Sequence, residues 1–179
     1  MKHFIFLLFA CLLLASPVKA QEAVTINEGA GLLRSDLNGA LPKGLWRNQY
    51  RSEIAYLLKN LPATAPTREL QTIKRNMLVS TYDTRSIIND IPEDNGNDLL
   101  SLRLKKLLET GFWEDALKLY TNNVDDPGTN AALAETGLLL ILSQRGLSTA
   151  CLEEKVLYPR FSEEAFWQQI DKVCSLELG

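Results

Sequence analysis

The stretch LLETGFWEDALKLY, Leu107 to Tyr120, decides the fold. Leu104, Leu107 and Leu108 recur at helical spacing before Gly111, and Phe112, Trp113, Ala116, Leu117 and Tyr120 do so after it. Apolar side chains three and four positions apart mark one face of a helix, and a glycine between two such runs fits a C-terminal cap. The pattern reads as helix, tight turn, helix. Its upstream half starts at Asn97 or Asp98, either of which suits an N-cap, and carries Leu99 and Leu100 as well.

The same reading extends in both directions. Downstream, Asp125-Asp126-Pro127-Gly128 is a turn. A helix from about Thr129 to Arg145 follows, apolar nearly all round at Leu138 to Leu142, and is expected to be the most buried. Gly146 ends it, Ser148 is expected to cap a helix through Cys151 to Leu157, and Pro159 is expected to break that helix. Ser162 is read as the cap of the last helix, with Ala165, Phe166, Ile170, Val173 and Cys174 on one face. Upstream, Pro42 suits a first helical position, and Leu45, Trp46, Tyr50, Ile54, Leu57, Leu58 and Leu61 follow at helical spacing up to Pro62. Thr67 caps a helix expected to bury Leu70, Ile73, Met77 and Leu78, and residues 81–97 read as a long polar connection. Strand signals are nearly absent. The expected fold is all-α: a stack of about three antiparallel helical hairpins plus a C-terminal helix.

The segment ILSQRGLSTACLEE, Ile141 to Glu154, repeats the helix, glycine, helix pattern. Gly111 and Gly146 lie 35 positions apart, close to the period of about 34 residues of tetratricopeptide (TPR) hairpins. The stack is therefore read as TPR-like.

At the start of the chain, Lys2 precedes an apolar stretch from Phe4 to Ala15, and Val18-Lys19-Ala20 places small residues where a signal peptidase reads them. Residues 1–20 are expected to be a signal peptide, residues 21–40 a loosely ordered arm with a short helix near Leu32 to Leu37, and residues 41–179 one helical domain. Leu8-Phe9-Ala10-Cys11 loosely resembles a lipid-attachment motif, but Phe9 fits it badly and Leu12 to Leu14 continue the apolar run past the cysteine. The protein is expected in the periplasm or secreted, after cleavage near Ala20.

Cleavage would remove the single histidine, His3, together with Cys11. The remaining 159 of 179 residues would carry Cys151 and Cys174 as their cysteines. Two cysteines in an exported chain most often pair, although two buried thiols or an intermolecular bridge are alternatives. Removing Lys2 and Lys19 leaves 17 basic against 22 acidic side chains, a net charge of −5. Such an acidic, mixed-sign composition does not suggest nucleic-acid or anionic-membrane binding. No later apolar run approaches the roughly 20 residues of a membrane span.

The chain resembles a family of uncharacterised exported all-helical proteins of alphaproteobacteria. The likeness rests on Leu45-Trp46-Arg47, on Leu107-Leu108 with Gly111, Ala116 and Leu117, on Ala150-Cys151, and on Phe166-Trp167-Gln168 with Cys174. It spans most of residues 41–178, and it implies fold and export without adding chemistry.

The residue inventory bounds the chemistry. Without histidine, Ser-His-Asp and Cys-His nucleophilic systems have no base. Gly146-Leu147-Ser148-Thr149-Ala150 faintly resembles a nucleophile elbow, but no strand precedes it, so Ser148 reads as a helix cap. Two cysteines cannot supply a four-cysteine zinc site. An EF-hand register with Gly96 sixth places Leu102 where a carboxylate is required. No cofactor or metal is expected, and no catalytic residue is assigned. Carboxylate pairs drawn from Glu53, Glu69, Glu109, Glu114 and Glu135 could run glycoside cleavage, but spacing does not choose a pair.

Three tryptophans, Trp46, Trp113 and Trp167, each lie early in an expected helix, where a core anchor is the commoner role. Trp46-Arg47 with Tyr50-Arg51 one turn later is the candidate partner-binding face. Arg47 and Arg51 would share one helix face and Trp46 and Tyr50 the next, a combination enriched at interface hot spots. The competing reading is a core edge with snorkelling arginines. The leading functional expectation is a non-enzymatic module binding a protein or peptide partner. The alternatives are a carboxylate-dependent enzyme or accessory factor acting on cell-wall glycan, and a structural or stress-related secreted protein.

Overall fold

In a computed structural model of the chain, residues 26–34, 36–92 and 96–179 are described. The expected signal peptide, with His3 and Cys11, lies outside them, as do residues 21–25 of the expected arm. Seven helices follow in order among the described residues: α1 (Arg51–Asn60), α2 (Arg68–Val79), α3 (Leu99–Glu109), α4 (Trp113–Thr121), α5 (Ala131–Arg145), α6 (Leu147–Phe161) and α7 (Ala165–Leu178). Strand pairing among those residues is confined to two isolated bridges, Leu33 with Ser80 and Tyr50 with Ile88. The protein is all-α.

Side-chain capping explains where α2, α3 and α5 begin. Thr67, Asp98 and Asn130 accept side-chain hydrogen bonds from the amides of Leu70, Ser101 and Leu133, satisfying donors that have no partner within their own helix. Gly111 separates α3 from α4 at φ 81°, and the amides of Gly111 and Phe112 donate to the carbonyls of Leu108 and Leu107. A left-handed backbone at that point is why glycine stands there.

Several expected boundaries differ. The first helix begins at Arg51, not Pro42, because the backbone of the preceding segment bonds to a distant loop. Asn48 donates to Ser86, Asp83 to Lys43 and Ile88 to Gln49, and Asn48 itself has φ 59°. Gly146 occupies both the C-cap of α5 and the N-cap of α6, so Ser148 is not the cap; its hydroxyl donates to Glu177 Oε1 at 2.7 Å. Pro159 does not break α6. It lies in the last turn, two residues from the end, where it withholds one i→i−4 hydrogen bond and the helix stops soon after. Ser162 is the C-cap of α6, and Glu164 precedes α7 without a side-chain capping bond.

The helices pack around α3, which meets α1, α2, α4 and α5. From there the chain continues as α4 against α5, α5 against α6, and α6 against α7. Eight of the eleven α3 residues are buried, against seven of fifteen in α5. The expectation that α5 is the most buried helix is thus corrected. α3 buries Ser101, Arg103 and Lys106 along with its leucines, and apolar patterning does not flag polar side chains of this kind. α5 instead separates two apolar clusters: Leu133 and Leu140 join the larger one around α1 to α4, whereas Ala134, Leu138 and Ile141 face Leu157, Phe161 and Trp167. An all-round apolar sequence is what a helix between two cores needs. Leu70 and Ile73, expected inside, are exposed on α2.

The arm expected to be loosely ordered is docked over residues 28–33, and no helix is present among the described residues near Leu32 to Leu37. Leu32 and Leu33 donate to the carbonyl of Val79, Thr81 to Leu33 and Tyr82 to Gly29. A Cβ on Gly29 would overlap the carbonyl oxygen of Tyr82, and one on Gly31 would overlap the backbone of Ser80. These glycines mark close backbone approach rather than slack.

Cys151 and Cys174 are joined by a disulfide between α6 and α7, with 5.2 Å between their Cα atoms. Both are buried. Closing a loop of this length stabilises a fold by about 3 kcal/mol on the chain-entropy model.

Candidate functional site

The four residues of the expected recognition face do not share a helix, since Trp46, Arg47 and Tyr50 precede α1 and Arg51 begins it. Trp46 is buried in the turn before α1, its ring 5.7 Å from that of Tyr82. Arg51 is buried as well. Its guanidinium donates to both carboxylate oxygens of Glu28 at 2.7 Å and to Asn89 Oδ1 at 3.0 Å. Arg47 and Tyr50 are exposed. Of the other tryptophans, Trp167 is fully buried between Phe161 and Phe166, whereas Trp113 is exposed beside Phe112.

A cleft of about 450 Å³ opens along α3, between the C-terminal end of α1 and the N-terminal half of α5. That volume lies in the range of small-ligand sites. Leu58, Leu102, Leu108 and Leu139 supply its apolar lining. Lys59, Lys105, Lys106, Glu109 and Glu135 supply charge, and Ser101 and Thr136 supply hydroxyls. The spacing of Ser101, Lys105 and Leu108 along one face of α3 is what places them in line.

Part of this charge is already engaged. Lys106 Nζ donates to Glu109 Oε2 at 2.5 Å and to the carbonyl of Lys59 at 3.1 Å, so it also caps the end of α1. Lys59 Nζ donates to Asn97 Oδ1 at 3.0 Å. Among the described residues Lys105 and Glu135 are in no ion pair. Thr136 donates its hydroxyl to the carbonyl of Ala132. The buried hydroxyl of Ser101 has no hydrogen-bond partner among the described residues. Two glutamates therefore border the cleft, but Glu109 is held by Lys106.

A second recess, about 280 Å³, lies beside the disulfide between α6 and α7 and is lined by Glu154, Lys155, Asp171 and Cys174 among others. Glu154 is buried, and its Oε1 is unpartnered among the described residues. Burial and then the nearby Asp171 carboxylate raise its pKa, with Lys155 opposing them. A carboxyl raised on folding holds its proton more tightly in the native state. Its stabilising contribution is complete below the unfolded value of 4.5 and is lost as pH rises through the folded value. Glu154→Gln should therefore be more stable than the parent at neutral pH, with the gap closing toward pH 4. Urea midpoints of both proteins across that range check this, and parallel curves would contradict it.

A third, more open recess of about 560 Å³ is bordered by Trp113, Lys118, Gln144 and the Arg75–Asp115 ion pair. Among the described residues, no group of three or more His, Cys, Asp or Glu side chains is placed to hold a metal ion. No helix among them is long and apolar enough to cross a membrane.

Comparison with known proteins adds no further constraint: no protein-family model matches the chain, and neither a curated protein nor a solved structure does.

The residues that organise this half of the molecule, Glu28 and Arg103, were not singled out by sequence. Glu28 lies in an arm without periodicity, and Arg103 sits in an otherwise leucine-rich helix. An arginine flanked on both sides by leucine in an amphipathic run is the one signal that could have marked Arg103 as buried.

Proposed function

We propose that the chain is an exported, non-enzymatic helical interaction module that receives a peptide or protein partner in the α1–α3–α5 cleft. The observation that carries this reading is the cleft itself, which joins an apolar lining, charged side chains and a buried hydroxyl without a partner among the described residues. Apolar surface with a few polar groups at the edge is what binding sites share. The helix–glycine–helix units at Gly111 and Gly146, both with left-handed φ between packed helices, support the TPR-like stack. The motifs shared with the exported alphaproteobacterial family and the Cys151–Cys174 disulfide support export to an oxidising compartment. The glycan-enzyme alternative has less support, because Glu109 is engaged by Lys106.

The test places a photo-crosslinking amino acid at Leu139, inside the cleft, or at the exposed Lys172 of α7, and expresses each full-length protein in its own host. Residue 139 should capture one defined partner in the periplasmic fraction, with a mature N-terminus at or near Gln21, and residue 172 should not. Equal capture from both positions, or none from 139, would overturn the reading.

A further inference from the structure

We propose that the α1–α3–α5 cleft selects a ligand bearing a carboxylate, held by Lys105 and Lys59 with its apolar part on the leucines beneath. The inference rests on the cleft being the binding groove and adds the chemistry of what enters it.

Charge is the first argument. The chain as a whole is acidic, with a formal net charge of −3. The cleft runs the other way, with three lysines and two glutamates. Lys106 and Glu109 neutralise each other, which leaves Lys59 and Lys105 with Glu135 as the one other carboxylate among the described lining residues. Among the described residues, Lys59 is bound to a neutral amide oxygen and is in no ion pair. A local excess of ammonium groups on an acidic molecule attracts an anion at close range, while the net charge repels bulk polyanions such as nucleic acid.

The second argument is the orphaned hydroxyl. Ser101 lies one helical turn before Lys105 and is 3% exposed, and its Oγ lacks a partner among the described residues. A buried hydroxyl without a hydrogen bond costs free energy that a ligand acceptor would recover. A carboxylate offers several acceptor positions and no donor, matching both the lysine ammoniums and a free hydroxyl hydrogen. The leucines below favour an apolar group on the same ligand. A C-terminal peptide carboxylate and a free aliphatic acid share this chemistry.

The experiment titrates isotope-labelled protein with acetyl-Leu-Ala-Leu as the free acid, the same tripeptide as its carboxamide, and hexanoate, following backbone amide shifts. The free acid should shift amides of residues 101–109, and the carboxamide should bind about tenfold more weakly, the usual worth of one charged hydrogen bond. Lys105→Gln, an exposed change, should erase the difference between acid and amide without altering the melting temperature. Hexanoate binding without peptide binding would keep the carboxylate inference, assign its source to a small acid, and overturn the peptide reading. Equal binding of acid and amide in the cleft would overturn the carboxylate inference and leave the groove reading standing. Absence of any shift in the cleft would overturn both.

Discussion

Arg103→Met is expected to lower the unfolding free energy by about 3–5 kcal/mol, because it leaves several buried carbonyls without a donor at about 1–3 kcal/mol each. Arg103 is 2% exposed, yet every arm of its guanidinium is used. Nε donates to the carbonyl of Leu78 at 2.7 Å, Nη2 to Ser80 at 2.9 Å, and Nη1 to Ala30 at 2.7 Å and Glu28 at 3.1 Å. The Leu78 carbonyl belongs to the last turn of α2, whose carbonyls have no donor within the helix. The same cation lies 5.2 Å from the centre of the Tyr82 ring. Burial pulls its pKa down to about 10, which still leaves it charged at neutral pH. Replacing a buried ion by an apolar side chain is often harmless when its partners are replaced too. Here the partners are backbone carbonyls, which no substitution removes. Methionine keeps the apolar stem and strands four acceptors, so the arm and the end of α2 lose their common anchor. The midpoint of urea unfolding measures the loss, and a change below about 1 kcal/mol would mean that water replaces the guanidinium.

Glu28→Gln is expected to cost about 3 kcal/mol and to release the arm. The Glu28 carboxylate receives both terminal nitrogens of Arg51 at 2.7 Å and also the amide of Leu99 at 2.8 Å, at the first turn of α3. One side chain thus ties the arm to the starts of α1 and α3. Glutamine preserves the volume but offers one acceptor oxygen and takes the Glu28 negative charge away from the buried Arg51 guanidinium. Trypsin cleavage at the exposed Arg34 reports the arm directly, and it should become several-fold faster in the variant. Unchanged cleavage together with unchanged stability would show that the arm is held without the Glu28 carboxylate, by its backbone bonds to Val79, Thr81 and Tyr82 and by the Arg103 guanidinium. Because Arg103 also binds the carbonyls of Glu28 and Ala30, the two substitutions should combine to less than their sum.

Helices α2 to α5 were legible because their signals are local. Thr67 and Asp98 cap through their own side chains, Gly111 turns through its own backbone freedom, and the leucine spacing of α3 requires no knowledge of what it packs against. The disulfide was legible for a related reason. Few cysteines remain after the expected cleavage, and their two helices are consecutive. The segment at residues 42–50 misled because apolar spacing alone does not reveal that its backbone bonds to residues 83–88, and the apparent Trp46–Arg51 face dissolved with that helix.

What the sequence by itself determined is the all-helical class, most of the element boundaries from Thr67 onward, and the Cys151–Cys174 pair. The class and the boundaries follow from propensity, capping and periodicity, which act over a few residues, and the pair follows from the cysteine count and the succession of the two helices. The tertiary structure alone decided the docking of residues 28–33, the burial of Arg51 and Arg103, and the cleft along α3. Each depends on groups distant in sequence, Glu28 meeting Leu99 or α1 approaching α5 across α3. The physical reason is that a buried charge is tolerated only where partners converge on it, and convergence is a property of the packed chain.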